Sequence, residues 1–226
     1  MSWLTKALAS SIGKKIIMSV TGLFLVIFLL GHLAGNLQLL MKDGGEAFNM
    51  YADFMMHNPA IQIIAWVTKI GILIHVIYAI ILTRQNQAAR PVKYAKNKAS
   101  ANSHWTSRFM PQWGIVILVF IVIHLIDFWA KAHYGPIEDI TYGEVTVANL
   151  FAVVQQKFQV TWVVAFYAIS MLMIAFHLWH GVKSGFQSLG INHSKYNPII
   201  ANLGALIAVI VPILFAVIPV YMYIVY

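Results

Sequence analysis

The chain has no cysteine among its 226 residues. That excludes a protein-ligated iron–sulfur cluster, a covalently attached c-type haem and any disulfide. Charge is also scarce: 10% of the residues are charged and only 7 are acidic. A soluble domain carries charge on roughly a quarter of its residues, so this sequence lacks the material for a water-facing surface. What it has instead is apolar, 60% of the chain, which places it among polytopic membrane proteins and gives no reason to expect a nucleic-acid partner.

Five apolar runs reach the roughly 20 residues needed to cross a bilayer, at about 16–40, 59–83, 112–132, 160–184 and 198–226. They predict an all-α membrane protein with five transmembrane helices. They use most of the chain, so a single integral membrane domain over 1–226 is expected. The first fifteen residues, MSWLTKALASSIGKK, are positive and weakly amphipathic. The run after them is too long for a signal-peptide core and lacks a small-residue cleavage site, so it reads as a retained first span. The fifth run holds Pro212 and Pro219 but no histidine, and reads as a packing helix in which proline kinks are tolerated.

The basic residues are distributed unevenly. Lys6, Lys14 and Lys15 precede the first span; Arg84, Arg90, Lys93, Lys96, Lys98 and Arg108 fall between the second and third; Lys183 and Lys195 fall between the fourth and fifth. The opposite side has only Lys42, Lys131 and Lys157, together with most of the acidic residues. The positive-inside rule therefore puts the N-terminus in the cytoplasm and the C-terminus outside. The basic face serves either topology and anionic lipid or the docking of a cytoplasmic partner. The inner segment 84–111 reads as polar, basic and lying along the membrane surface. The segments 41–58 and 133–159 read as outer loops, with a short interfacial helix within 147–159.

Four spans each carry one deep histidine: His32, His75, His124 and His177. An ionisable side chain in hydrocarbon is costly and marks function by default. At about 1.5 Å of rise per residue, His177 lies about 9 Å and His75 about 14 Å from the cytoplasmic ends of their helices, against about 18 Å for His124 and 25 Å for His32. Depth thus pairs His75 with His177 and His32 with His124. In a four-helix bundle running in chain order, the same pairs face each other across the core. Two opposed imidazoles at one depth suit the two axial positions of a haem iron, and filling both favours electron transfer over oxygen chemistry. The first four helices are thereby expected to form a haem-binding bundle.

Small residues fit that reading. Gly71 and Gly181 each stand one turn from a histidine, where a macrocycle needs a missing side chain. Gly31 and Gly35 flank His32 as a small-xxx-small pattern, serving helix packing or macrocycle clearance. The bland alternative for any one of these histidines is a buried imidazole bonded to a carbonyl or hydroxyl. His180, three residues past His177, is a propionate partner, an interfacial residue, or a competing ligand. His57, His104, His133 and His193 fall in loops and read as solvated. A transition-metal path would cluster its ligands at one depth and add acidic or sulfur groups; Asp127 alone is available.

The stretches IFLLGHLAGN around His32, GGEAFNMYADFM in the first outer segment, ILIHVIYAI around His75, VIHLIDFW around His124 and AFHLWHGVKSGFQSLG around His177 resemble one known family. It is the di-haem cytochrome b (b558-type) membrane anchor subunit of succinate:quinone oxidoreductases. The resemblance covers all four histidine-bearing helices in order. It implies two haem b, with His75 and His177 on the proximal iron and His32 and His124 on the distal iron, and Ser19, His180 and Lys183 near the propionates. It also implies a flavoprotein and an iron–sulfur subunit on the cytoplasmic face of a bacterial inner membrane, menaquinone as electron partner, and pairing into a dimer of heterotrimers. Asp53 and Glu46, with His57 a weaker third, are the candidates for a quinone and proton site; otherwise they belong to a solvated loop. The glutamate that some fumarate-reducing members carry before the fourth-helix ligand is absent here, where Ile174, Ala175 and Phe176 stand. Two other classes compete: a haem b subunit of another quinone-linked dehydrogenase, and a transporter or metal permease.

Overall fold

In hydrocarbon a backbone must satisfy its own hydrogen bonds, and a helix does so within one segment. Five helices are long and apolar enough to cross a membrane: Ser11–Leu40, Pro59–Ala88, Met110–Tyr134, Thr161–Ser188 and Asn197–Val225. The structure is a computed structural model and describes residues 2–89 and 105–226. Arg90, Lys93, Lys96 and Lys98 of the basic inner segment, and His104, lie outside the described residues.

In chain order, a short α1 (Trp3–Ala9) precedes α2 (Ser11–Asn36), which tightens into a 3-10 turn (Leu37–Leu40). Then come α3 (Glu46–His57), α4 (Pro59–Ala88) and α5 (Trp105–Arg108). The third span is α6 (Met110–His124), a π-helical turn (Leu125–Ala130) and α7 (Lys131–Tyr134). A hairpin of β1 (Asp139–Tyr142) and β2 (Val145–Ala148) leads to α8 (Leu150–Phe158), α9 (Thr161–Ser188) and α10 (Asn197–Val225).

Local chemistry sets several of these boundaries. Asn58 caps α4, its side-chain oxygen accepting from the Ala60 and Ile61 amides at 3.0 and 3.3 Å. Pro59 takes the first helical position, where its missing N–H costs nothing. Asn149 caps α8 by accepting from the Ala152 amide. At the start of α3, Gly45 has φ +90°, and a Cβ there would run into the Phe151 ring; both favour glycine.

The faces of α4 are inverted relative to a soluble helix. Ile63, Trp66, Ile70, Leu73, Ile77 and Ile80 recur at helical spacing and are exposed, while Thr68 and Gly71 are buried. Lipid is the solvent for such a stripe, and small or polar residues face protein.

The described chain separates into two compact units, to which all five spanning helices contribute. In the first unit (1–28, 67–115, 176–209), Gly185 of α9 lies against Leu23 of α2, and Gly204 of α10 lies against Val182 of α9. In the second unit (29–66, 116–175, 210–226), Leu39, Phe151, Val154, Phe158, Val163, Tyr167 and Met222 are buried. Its hub is Asn49, with no exposed surface. Its amide donates to the Tyr142 hydroxyl at 3.0 Å and the Asn149 side-chain oxygen at 3.1 Å, and its own oxygen accepts from the Phe151 amide at 2.8 Å. One side chain thus ties α3, the hairpin and α8 together.

The spans match their expected positions to within a few residues. Two segments differ in kind. Residues 41–58 hold the helix α3 rather than a loop, and residues 133–159 contain a β-hairpin before the short helix α8. The hairpin pairs Asp139 with Ala148 and Tyr142 with Val145 around Gly143, φ +60°.

Candidate functional site

In the first unit, α4 presents His75 and α9 presents His177. Their ring centroids lie 6.3 Å apart at an interplanar angle of 69°. Helix α2 supplies two neighbours. The Thr21 hydroxyl is 3.1 Å from His75 Nδ1 and also 2.9 and 3.0 Å from the Ile17 and Met18 carbonyls of its own helix. A hydroxyl has one hydrogen. With that hydrogen on a carbonyl, the oxygen accepts from His75 Nδ1–H, and Nε2 keeps its lone pair for a ligand. Gly22 lies beside the same ring, and a Cβ there would sit 3.1 Å from His75 Cε1. His177 Nδ1 is buried and has no hydrogen-bond partner among the described residues. Phe176, the residue before it, packs against Trp105 and Trp113, with centroids 5.0 and 5.3 Å away.

In the second unit, α2 presents His32 and the end of α6 presents His124. Their centroids are 5.8 Å apart at 87°. This pair is set in aromatic rings. His32 faces Phe215 at 5.6 Å; His124 stacks on Phe120 at 5.7 Å and meets Phe128 and Tyr167 at 5.4 and 6.1 Å. The Asn36 amide donates to the His32 carbonyl at 2.7 Å and lies 3.4 Å from His32 Nδ1. His124 Nδ1 is buried with no partner among the described residues.

The next turn after His124 is π-helical, a geometry frequent at functional sites. It carries Asp127, which is buried. Asp127 pairs with Lys157 of α8 through one carboxylate oxygen and accepts the Tyr167 hydroxyl through the other, at 3.0 Å.

A first-row metal binds an imidazole nitrogen at about 2 Å, so a metal held between two axial imidazoles sets their centroids about 6 Å apart. Both pairs have that separation. Ordinary aromatic pairs also fall in this range, so distance alone does not decide. The donor set does more. Each unit brings together two neutral-capable nitrogen ligands from different helices, and all four rings are half-buried. Among the described residues no three or more His, Asp or Glu side chains gather as a metal cluster. Two imidazoles from different helices in each unit are a donor set that fits a haem held by two histidines.

The remaining sequence candidates are placed as follows. Ser19 is buried and its hydroxyl donates to the Lys15 carbonyl at 2.8 Å. Lys183 is exposed and His180 half-buried, on the turns after His177. Gly71 lies in ordinary contact with Phe24, and a Cβ at Gly181 or Gly31 would meet nothing within 4 Å. Gly35 makes room for the Tyr51 ring. Glu46 is exposed in the first turn of α3. Asp53 pairs with His57 on the same helix at 3.1 Å, largely in the open. The structure brings neither carboxylate into a described polar cluster with His32 or His124.

Sequence reading missed Thr21, Gly22, Lys157 and Tyr167. Each acts across a helix–helix contact that no local pattern announces. The adjacent Thr21–Gly22 pair, polar then small inside an apolar span, is the one signal that could have flagged part of the site.

These observations define a multi-pass membrane protein with five spanning helices and two internal histidine pairs. No family model, curated protein or solved structure matches the chain.

Proposed function

We infer that the chain is the di-haem cytochrome b membrane anchor of a succinate:quinone oxidoreductase, working as a succinate dehydrogenase or a quinol:fumarate reductase. It would carry electrons between membrane menaquinone and the iron–sulfur and flavoprotein subunits, on which the succinate and fumarate chemistry lies. The observation that carries this is the convergence of four histidines on four helices into two pairs, 5.8 and 6.3 Å apart. The motif resemblance is what favours this complex over another haem b subunit.

In this reading His75 and His177 hold one haem b, and His32 and His124 the other. A haem bound there would supply reversible one-electron exchange, and these histidines, their burial and the local charge would hold it and set its potential. The Thr21 hydroxyl would accept from His75 Nδ1–H and so favour a free Nε2. Gly22 keeps the His75 ring clear of α2. Phe120, Phe128 and Phe215 exclude water around the second pair.

A dithionite-reduced minus oxidised spectrum with a pyridine haemochrome count tests the proposal. The purified complex is expected to give a b-type α band and two haems per chain. A folded, haem-free preparation overturns the reading.

A further inference from the structure

A charged pair sits beside the His32/His124 site. Asp127 lies one turn beyond His124, 8% exposed, paired with Lys157 of α8, itself 21% exposed. Tyr167 links the pair to the site: its hydroxyl donates to Asp127 at 3.0 Å and its ring lies 6.1 Å from His124. Phe158, next to Lys157, packs on Tyr167 and Phe128 at 5.2 and 5.7 Å, so the lysine is held against the site by its own helix.

A carboxylate buried in hydrocarbon is costly, and pairing is one way to retain it. Here the pair stands about one turn from His124, where the dielectric is low and Coulomb terms are large. We propose that Asp127 and Lys157 form a charge-compensating pair that sets the electron affinity of the His32/His124 site, with Tyr167 positioning the carboxylate. This deepens the reading above and rests on a haem at that site. The sign of each residue's effect follows from its charge. Negative charge nearby disfavours the reduced state, and positive charge favours it.

The test is a potentiometric titration of haem absorbance in the intact complex for D127N, K157Q and the double variant. D127N leaves the lysine uncompensated and is expected to raise the midpoint potential of the His32/His124 haem. K157Q leaves the carboxylate and is expected to lower it. The double variant returns close to the parent, and the His75/His177 haem moves less in every case. A purely structural role would shift both single variants in one direction. Same-sign shifts, or none at the His32/His124 haem, overturn the proposal while leaving the haem reading intact. If a single variant fails to retain haem, the double variant decides: a parental potential upholds the pairing and a displaced one overturns it. Absence of b-type absorbance in the parent complex overturns the reading and this inference together.

Discussion

The two histidine pairs are built from the same residue type at nearly the same separation, yet their surroundings differ in chemistry. In the first unit a hydroxyl and a glycine from α2 stand beside His75. The second surrounds His32 and His124 with aromatic rings and places an ion pair one turn away. For two haems of identical ligation, potential is set by burial, hydrogen bonding and nearby charge. If each pair holds a haem, as proposed, the contrast would give the protein two separately adjustable electron carriers without changing a ligand.

The largest effect expected is loss of one carrier at a time. His75→Ala or His177→Ala should remove one haem and leave the other; His32→Ala or His124→Ala should do the converse. Haemochrome counts and potentiometric titration of each variant check this. Loss of both haems from every single variant would break the comparison, because the two sites would then not be independent.

Asn49→Ala comes next and sharpens the contrast on the stability side. It orphans the Phe151 amide and removes the partner of Tyr142 and Asn149. Each buried group left unpaired costs about 1–3 kcal/mol. Thermal unfolding in detergent should fall clearly, and the His32/His124 haem should be released at a lower temperature than the His75/His177 haem. Release of both together would show that the hub does not act on the second unit alone.

Gly22→Leu should act on the other pair. Forcing a large side chain against the His75 ring costs about 1–3 kcal/mol of overpacking. The expected result is a shifted or broadened α band for the His75/His177 haem, with the other band unchanged. Gly22→Ala should give a weaker version, since its Cβ would meet Cε1 at 3.1 Å and a small ring movement relieves it.

Much of this arrangement was legible in the sequence, for a physical reason. A membrane span announces itself by length and apolarity, and an imidazole inside one stands out because lipid penalises it. Rise per residue then converts position into depth, so the partners of His32 and His75 were readable without coordinates. The connecting segments 41–58 and 133–159 were less legible. Residues 41–58 read as a loop because Asp43, Gly44 and Gly45 dominate their start, yet Asp43 accepts the Gly45 and Ala47 amides at 2.9 Å and so helps to begin α3. The hairpin is only four residues per strand, too short for alternation to be distinctive. Lys157 read as an ordinary outer-loop cation because its partner, Asp127, lies 30 positions earlier in another helix.

The smallest predicted effect tests the finest difference between the two sites, the tautomer control on His75. Thr21→Val removes the hydroxyl beside Nδ1 while keeping the side chain's shape, and a net hydrogen bond of this kind is worth about 0.5–1.5 kcal/mol. Haem content should survive, because the iron–ligand bonds remain. An Nδ1–H that donates a hydrogen bond makes its imidazole a stronger electron donor, which favours the oxidised iron, so losing that bond should raise the potential of the His75/His177 haem. Thr21→Ser restores the hydroxyl and should restore the parental value. The His32/His124 haem should not respond, and if it does, the hydroxyl works through helix packing rather than through the ring nitrogen.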